Sequence, residues 1–120
     1  GRPIEVWGGQ QLRDFNDIED VVAALIICGK NQKLLSGPYN LGGSQTIKLL
    51  DLANKLIDIY GKGEIKCMEY PKVRKKIDIG DYYSCYDKFK SETGWEPIKN
   101  LEYTLKKTLN YYSENLNSYL

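Results

Sequence analysis

The 120-residue sequence predicts a small mixed α/β domain, with about three main helices around short strands. Three observations carry that prediction. Apolar residues recur at helical spacing over 18–28, 47–60 and 101–115. Short extended stretches fall at 3–6, 39–41 and 65–70, and glycine or proline marks the junctions between them.

Pro3-Ile4-Glu5-Val6 alternates as a strand does, and Trp7-Gly8-Gly9 ends it in a turn, with Trp7 read as a packing residue. Nothing precedes that strand for it to follow, so residues 1–120 are expected to be one piece of a longer protein. Asp17 is a good N-cap for the first helix, and Asp20 places a second carboxylate at the positive end of its dipole. Ile18, Val21, Val22, Leu25 and Ile26 follow the i, i+3, i+4, i+7, i+8 rule and predict the face toward the core. Residues 29–37 are a polar connection, with Lys30 and Lys33 near the helix's negative end.

Tyr39-Asn40-Leu41 reads as a minimal strand, and Gly42-Gly43 turns the chain toward a helix over 47–60. Thr46 is its expected cap, Leu49, Leu50, Ala53, Leu56 and Ile57 its apolar face, and Gly61 its end. The 65–70 strand stops at Pro71. A short helix over 88–93 is closed by Gly94, and Trp95 and Pro97 pin the crossing to the last helix. That helix places Leu101, Leu105, Leu109 and Tyr112 on one stripe, and 115–120 is expected to fray.

Seventeen basic residues against sixteen acidic ones leave a net charge of +1, so no overall field recruits nucleic acid or an anionic membrane. The run from Val21 to Cys28 is far short of the roughly 20 apolar residues of a membrane span, and a cytoplasmic location is the simplest expectation. Cys28, Cys67 and Cys85 lack any Cys-x-x-Cys pair, which argues against a disulfide framework and against zinc. The absence of histidine removes serine-triad and histidine-metal chemistry.

Two stretches could meet an anion. Arg13 ends an extended run, where its planar donor fork could face a cleft and hold a phosphate; a surface pair with Asp14 or Asp17 is the commoner fate of such a residue. Pro71-Lys72-Val73-Arg74-Lys75-Lys76-Ile77-Asp78 carries four cations within five residues, either as a solvated loop or as a second arm closing on a diphosphate opposite Arg13. Strand, glycine turn and helix around Gly42-Gly43 invite a phosphate-loop reading, but neither Gly-x-Gly-x-x-Gly nor Gly-x-x-x-x-Gly-Lys-(Ser/Thr) occurs in the chain.

Four segments stand in a fixed order: Gly9-x-x-Leu12-Arg13-Asp14-Phe15, continued by Asp20-Val21-Val22; Tyr39-Asn40-Leu41-Gly42; the 71–78 block with Asp78 and Lys88; and Gly94-Trp95-Glu96-Pro97. Together they resemble the C-terminal substrate-binding part of the extended short-chain dehydrogenase/reductases that act on nucleotide sugars, the NAD-dependent epimerase/dehydratase family. The resemblance implies the C-terminal part of a Rossmann-type enzyme and a UDP- or dTDP-sugar ligand. It implies Arg13 and Arg74 on the diphosphate, with Lys75 the alternative to Arg74 because the family's arginine falls one residue out of register. Asp78 would hold the ribose or its surroundings. Cys85 stands where the pattern has aspartate.

The family's Gly-x-x-Gly-x-x-Gly loop and its catalytic Tyr-x-x-x-Lys pair belong to an N-terminal half. NAD is therefore expected to be bound by that half, and this chain alone is expected to be inactive, with no catalytic residue of its own. Tyr86 with Lys90 and Tyr103 with Lys107 match Tyr-x-x-x-Lys only formally. Whether the parent reaction is an isomerase's or a lyase's is decided in the other half. Strands left without their partners would favour a homodimer or domain swapping. From a different class, the chain could be a non-catalytic interaction module using the basic 72–76 loop.

Overall fold

A computed structural model describes residues 2–31 and 37–119. Strand β1 (Ile4–Trp7) leads through a glycine turn to β2 (Leu12–Asp14) and helix α1 (Ile18–Lys30). Strand β3 (Thr46–Lys48) runs straight into α2 (Leu49–Tyr60), and β4 (Ile65–Met68) is followed by the single turn α3 (Lys72–Lys75). Helices α4 (Asp87–Thr93) and α5 (Leu101–Glu114) and a 3-10 turn (Leu116–Ser118) complete the order.

The strands form two separate ribbons. β1 and β4 pair in parallel with Val6 opposite Cys67 and Trp7 opposite Met68, the connection between them passing through α1 and α2. β2 and β3 pair antiparallel with Arg13 opposite Ile47. Helix α2 packs against both β1 and α5, burying Ala53 and half-burying Leu49, Leu52, Leu56 and Ile57.

A hydrophobic cluster joins α1 and α4: Ala24, Phe89 and Trp95 are buried, with Ile27, Tyr39, Leu41 and Tyr86 against them. Phe89 and Trp95 stack at 5.5 Å, and Tyr86 meets Trp95 edge-on at 5.7 Å. Buried polar groups in this region are satisfied, as burial demands. The Trp95 indole N–H donates to the Asp20 carbonyl at 3.1 Å, and the Asp20 carboxylate accepts the Lys99 N–H at 3.0 Å. Asp17 caps α1 through the Glu19 N–H at 2.8 Å and also accepts the Thr104 hydroxyl at 2.7 Å, so one carboxylate ties α1 to α5. Asp17→Ala should therefore cost about 1–2 kcal/mol, the upper part of the capping range, in urea unfolding.

Glu19 stands between Lys107 and Lys99, whose ammonium groups hold its carboxyl below the ordinary value of 4.5. A carboxyl depressed on folding contributes stability that is present above its unfolded value and lost as pH falls through the folded one. Glu19→Gln should accordingly lower the neutral plateau slightly and flatten the acid-unfolding curve below about pH 4.5 by the same small amount, because exposed pairs contribute little.

Several expectations need correction. Along α1 the face turned to the core is Asp20, Ala24 and Ile27, not the predicted stripe: Ile18, Val22, Leu25 and Ile26 are exposed and only Val21 is half-buried. Tyr39–Leu41 belongs to neither ribbon, although Tyr39 and Leu41 do pack on the core. Thr46 does not cap α2; it lies in β3, because residues 46–48 find a ladder partner in β2, and Lys48 takes the cap position.

The 65–70 strand ends at Met68, the basic block contains the turn α3, and Tyr112 on α5 is exposed. Residues 116–118 form a 3-10 turn, with the Tyr119 hydroxyl 3.1 Å from that of Tyr111, where fraying was expected. Gly61 and Gly94 end their helices in the left-handed conformation as expected. The Lys33 expectation lies outside the described residues.

Candidate substrate-anchoring site

Gly8 and Gly9, with φ of 69° and 81°, turn the chain sharply after β1, and a side chain at Gly9 would meet Leu50 and Val6 at about 3 Å. That turn sets β2 beside β3 and leaves the Arg13 side chain half-buried. The 78–84 segment is then strapped across β2. The Leu12 N–H donates to Asp81 at 2.8 Å, the Tyr82 N–H to the Leu12 carbonyl at 3.0 Å, and the Ser84 N–H to the Asp14 carboxylate at 3.1 Å. The same Asp14 oxygen accepts the Gly43 N–H at 3.1 Å, so Asp14 joins three segments.

The strap delivers Asp78 to Arg13. Their ion pair is 3.4 Å long with both side chains largely covered, and Arg13 also donates to the Gly80 carbonyl and, at 2.7 Å, to the Leu12 carbonyl. Parallel pairing of β1 with β4 puts Trp7 beside Tyr70, ring centroids 6.3 Å apart, and the Arg74 guanidinium lies 4.8 Å over the Trp7 ring. Burial first, then a hydrogen bond to Asp78 and its negative charge, push the Tyr70 phenol above its ordinary value, while Arg13 and Arg74 act in the opposite direction. Arg13 is thus paired with Asp78, and Arg74 stacks on the Trp7 ring that meets Tyr70.

A cleft of about 320 Å³ opens beside this cluster, lined by Trp7, Gln11, Leu52, Leu56 and Tyr70 among others. The Gln11 amide donates to the Trp7 carbonyl at 3.0 Å, but its own buried oxygen has no hydrogen-bond partner among the described residues.

Of the four residues singled out from the sequence, the structure pairs Arg13 with Asp78 and sets Arg74 over Trp7, the ring beside Tyr70. Lys75 is exposed, and no ion pair or side-chain hydrogen bond engages it among the described residues. Tyr70, Gln11 and the double role of Asp14 escaped the sequence reading, and Trp7 was taken only as packing. The one available signal was the spacing of Trp7 and Tyr70 at the ends of two predicted strands. The expected Arg13 pairing with Asp14 or Asp17 does not form; Asp78 takes that place.

The Gly42-Gly43 turn is not a phosphate cradle. A Cβ on Gly43 would stand 2.4 Å from the Phe15 carbonyl oxygen and one on Gly42 2.8 Å from that of Ser84, so backbone, not ligand, fills the space the glycines leave. No other stretch offers the glycine-rich turn that a dinucleotide needs, and the residues present do not fit NAD. The lysines of both formal Tyr-x-x-x-Lys matches are occupied, Lys90 by Glu96 and Lys107 by Glu19. No cluster of metal-ligating side chains occurs, and no helix is long and apolar enough to cross a membrane, among the described residues.

No family model matches the chain. Among curated proteins it is 31% identical over 121 residues to UDP-glucuronic acid decarboxylase 1 of Xenopus tropicalis, covering 97% of this chain and 27% of that protein. It is 28% identical over 128 residues to the dTDP-glucose 4,6-dehydratase of Salmonella typhimurium, covering 96% and 33%. The fold superposes on the UDP-glucose 4-epimerase of Thermotoga maritima, solved with UDP-glucose, with a TM-score of 0.81 and 27% identity, covering 96% of this chain and 36% of that one. The chain therefore spans about a quarter to a third of these relatives' length. The matched part is a C-terminal region of Rossmann-type enzymes for which NAD is the cofactor. By sequence and by fold, the homologues and structural neighbours of this chain are enzymes of the NAD-dependent epimerase/dehydratase family, which it matches over a C-terminal region.

Proposed function

We propose that residues 1–120 are the substrate-binding part of a nucleotide-sugar epimerase or dehydratase, and that they hold the diphosphate and nucleoside of a UDP- or dTDP-sugar. Arg13 and Arg74 supply two cationic forks to the doubly charged linker, with Lys75 as a reserve on the same turn. Asp78 accepts from a ribose hydroxyl, and the cleft between Trp7, Gln11 and Tyr70 takes the nucleoside. The single observation that supports this reading is that two arginines from distant segments border the Trp7–Tyr70 region, Arg74 stacked over Trp7 at 4.8 Å and Arg13 held by Asp78, the carboxylate that also acts on the Tyr70 hydroxyl. No chemical step is assigned to this chain. Hydride transfer with NAD, and the choice between isomerase and lyase outcomes, fall to the Rossmann portion that such enzymes carry in addition. Pairing with that portion, or a homodimer, would complete the site, and the exposed thiols Cys28, Cys67 and Cys85 suit the reducing cytoplasm.

Titration with UDP, dTDP, UDP-glucose and a single-stranded polynucleotide tests the ligand class. Saturable binding of the nucleotide diphosphates, with only weak salt-sensitive binding of polynucleotide, is expected. The second reading, an interaction module, rests on the exposed Lys72, Lys75 and Lys76 interleaved with Val73 and Ile77, which are 80% and 81% exposed. Binding of polynucleotide alone, falling steeply with salt, would establish it in place of the first.

A further inference from the structure

Another cavity, of about 440 Å³, opens between α2 and the first turns of α5 and shares no lining residue with the Trp7 cleft. Lys55 of α2 borders it, with Glu102 and Lys106 of α5. Among the described residues only two lysines are half-buried, Lys55 and Lys99. Lys99 is paired with Glu19 at 3.0 Å, whereas the Lys55 ammonium has neither an ion pair nor a hydrogen bond among the described residues. Glu102 is held below its ordinary value first by a hydrogen bond from Lys106, then by the charges of Lys106 and Lys55, and Lys106 already binds it at 2.7 Å. One carboxylate therefore faces two ammonium groups, and a positive charge is left uncompensated at the cavity wall.

A covered lysine stem alone needs no ligand. The rest of the lining gives the uncompensated charge its meaning. Leu101, 5% exposed, and the Tyr103 ring supply an apolar wall. The Asn100 carbonyl oxygen accepts the Tyr103 N–H at 2.8 Å, so its NH₂ group remains a donor, and the Gln45 amide is engaged by no hydrogen bond among the described residues.

We propose that this cavity binds a sugar phosphate, with the phosphate between Lys55 and Lys106, the ring against Leu101 and Tyr103, and the hydroxyls bonded to Glu102, Gln45 and Asn100. The volume falls within the range of small-molecule sites, about 300–1,000 Å³. Two ammonium groups suit one compact anion, and no guanidinium fork lines the cavity. The Glu102 carboxylate accepts hydroxyl protons and repels a second phosphate, which separates this ligand from the nucleoside diphosphate proposed for the Arg13 site. Nothing in the assignment depends on that other reading.

Calorimetric titration of the chain with glucose 1-phosphate, inorganic phosphate and glucose tests the proposal. Glucose 1-phosphate should saturate one site, with inorganic phosphate and glucose each weaker by about tenfold or more. Lys55→Gln and Lys106→Gln should each weaken glucose 1-phosphate by about tenfold or more, the effect of one lost charge-assisted hydrogen bond. The urea midpoint of Lys55→Gln should stay at the wild-type value, because that ammonium holds no partner. Lys90→Gln, on α4, and Arg13→Gln should leave glucose 1-phosphate binding unchanged. Absence of saturation, equal affinity for inorganic phosphate, or binding that survives Lys55→Gln would overturn the proposal. Loss of binding in Arg13→Gln would place the ligand at the other site and overturn it as well. Failure to bind UDP with glucose 1-phosphate still held would break the functional reading above and leave this one standing.

Discussion

Gly43→Ala is expected to unfold the chain or bring it close to unfolding. The added carbon would stand 2.4 Å from the Phe15 carbonyl oxygen and 2.9 Å from its carbon, which are backbone atoms that no rotamer change can move. Nor can Gly43 itself retreat, because its N–H is bound to Asp14, which also holds Ser84. Overpacking of this kind costs about 3 kcal/mol or more. Against the small buried set of Val6, Ala24, Ala53, Phe89, Trp95 and Leu101, that is a large share of what a domain of this size has to lose. Gly29→Ala is the matched control. Gly29 lies within α1 with nothing near its missing side chain, so alanine there should raise stability by about 0.5–1 kcal/mol through helix propensity. Urea midpoints of the two variants should move in opposite directions, and an unmoved Gly43→Ala midpoint would contradict the close approach of the two backbones.

Arg13→Gln should separate folding from ligand binding. Without the arginine the 78–84 strap keeps the Leu12 N–H bond accepted by Asp81 and the bonds donated by the Tyr82 and Ser84 N–H groups, so a stability loss of about 1 kcal/mol is expected, the size of a partly exposed ion pair. Affinity for UDP should fall by about 10- to 100-fold, because a charge-assisted hydrogen bond to a phosphate contributes about 1.5–3 kcal/mol. Arg13→Lys should recover only part of that affinity, since an ammonium restores the charge but not the planar pair of donors. Calorimetric titration of the three proteins checks the order, wild type above lysine above glutamine.

The features legible in the sequence are those decided locally. Asp17 as a cap, Gly61 and Gly94 as helix stops, and the helices α4 and α5 each depend on a few neighbouring residues. What the sequence left hidden depends on partners far along the chain. Residues 46–48 look like the start of a helix until β2 lies beside them, and residues 39–41 look like a strand although neither ribbon takes them. Periodicity marked α1 as a helix but chose the wrong inward face, because small Ala24 and polar Asp20 do the inward packing while Ile18, Val22, Leu25 and Ile26 are exposed.

The candidate site divides in the same way. Arg13, Arg74 and Asp78 stand out through their resemblance to a family pattern. Tyr70 and Gln11 become visible only once parallel pairing of β1 and β4 has set Trp7 beside Tyr70. Asp14 looked like half of a surface pair; its work, accepting two N–H groups from Gly43 and Ser84, needs three segments already in place.

Two cations sharing one linker should make the second phosphate of the ligand count. The direct test compares UDP with UMP on the wild-type chain and on Arg13→Gln, Arg74→Gln and the double variant. Preference for UDP over UMP in the wild type, weakened by either substitution and gone when both are made, is the predicted result. Equal affinity for the two nucleotides in the wild type, or a preference for UDP that survives in the double variant, would contradict it.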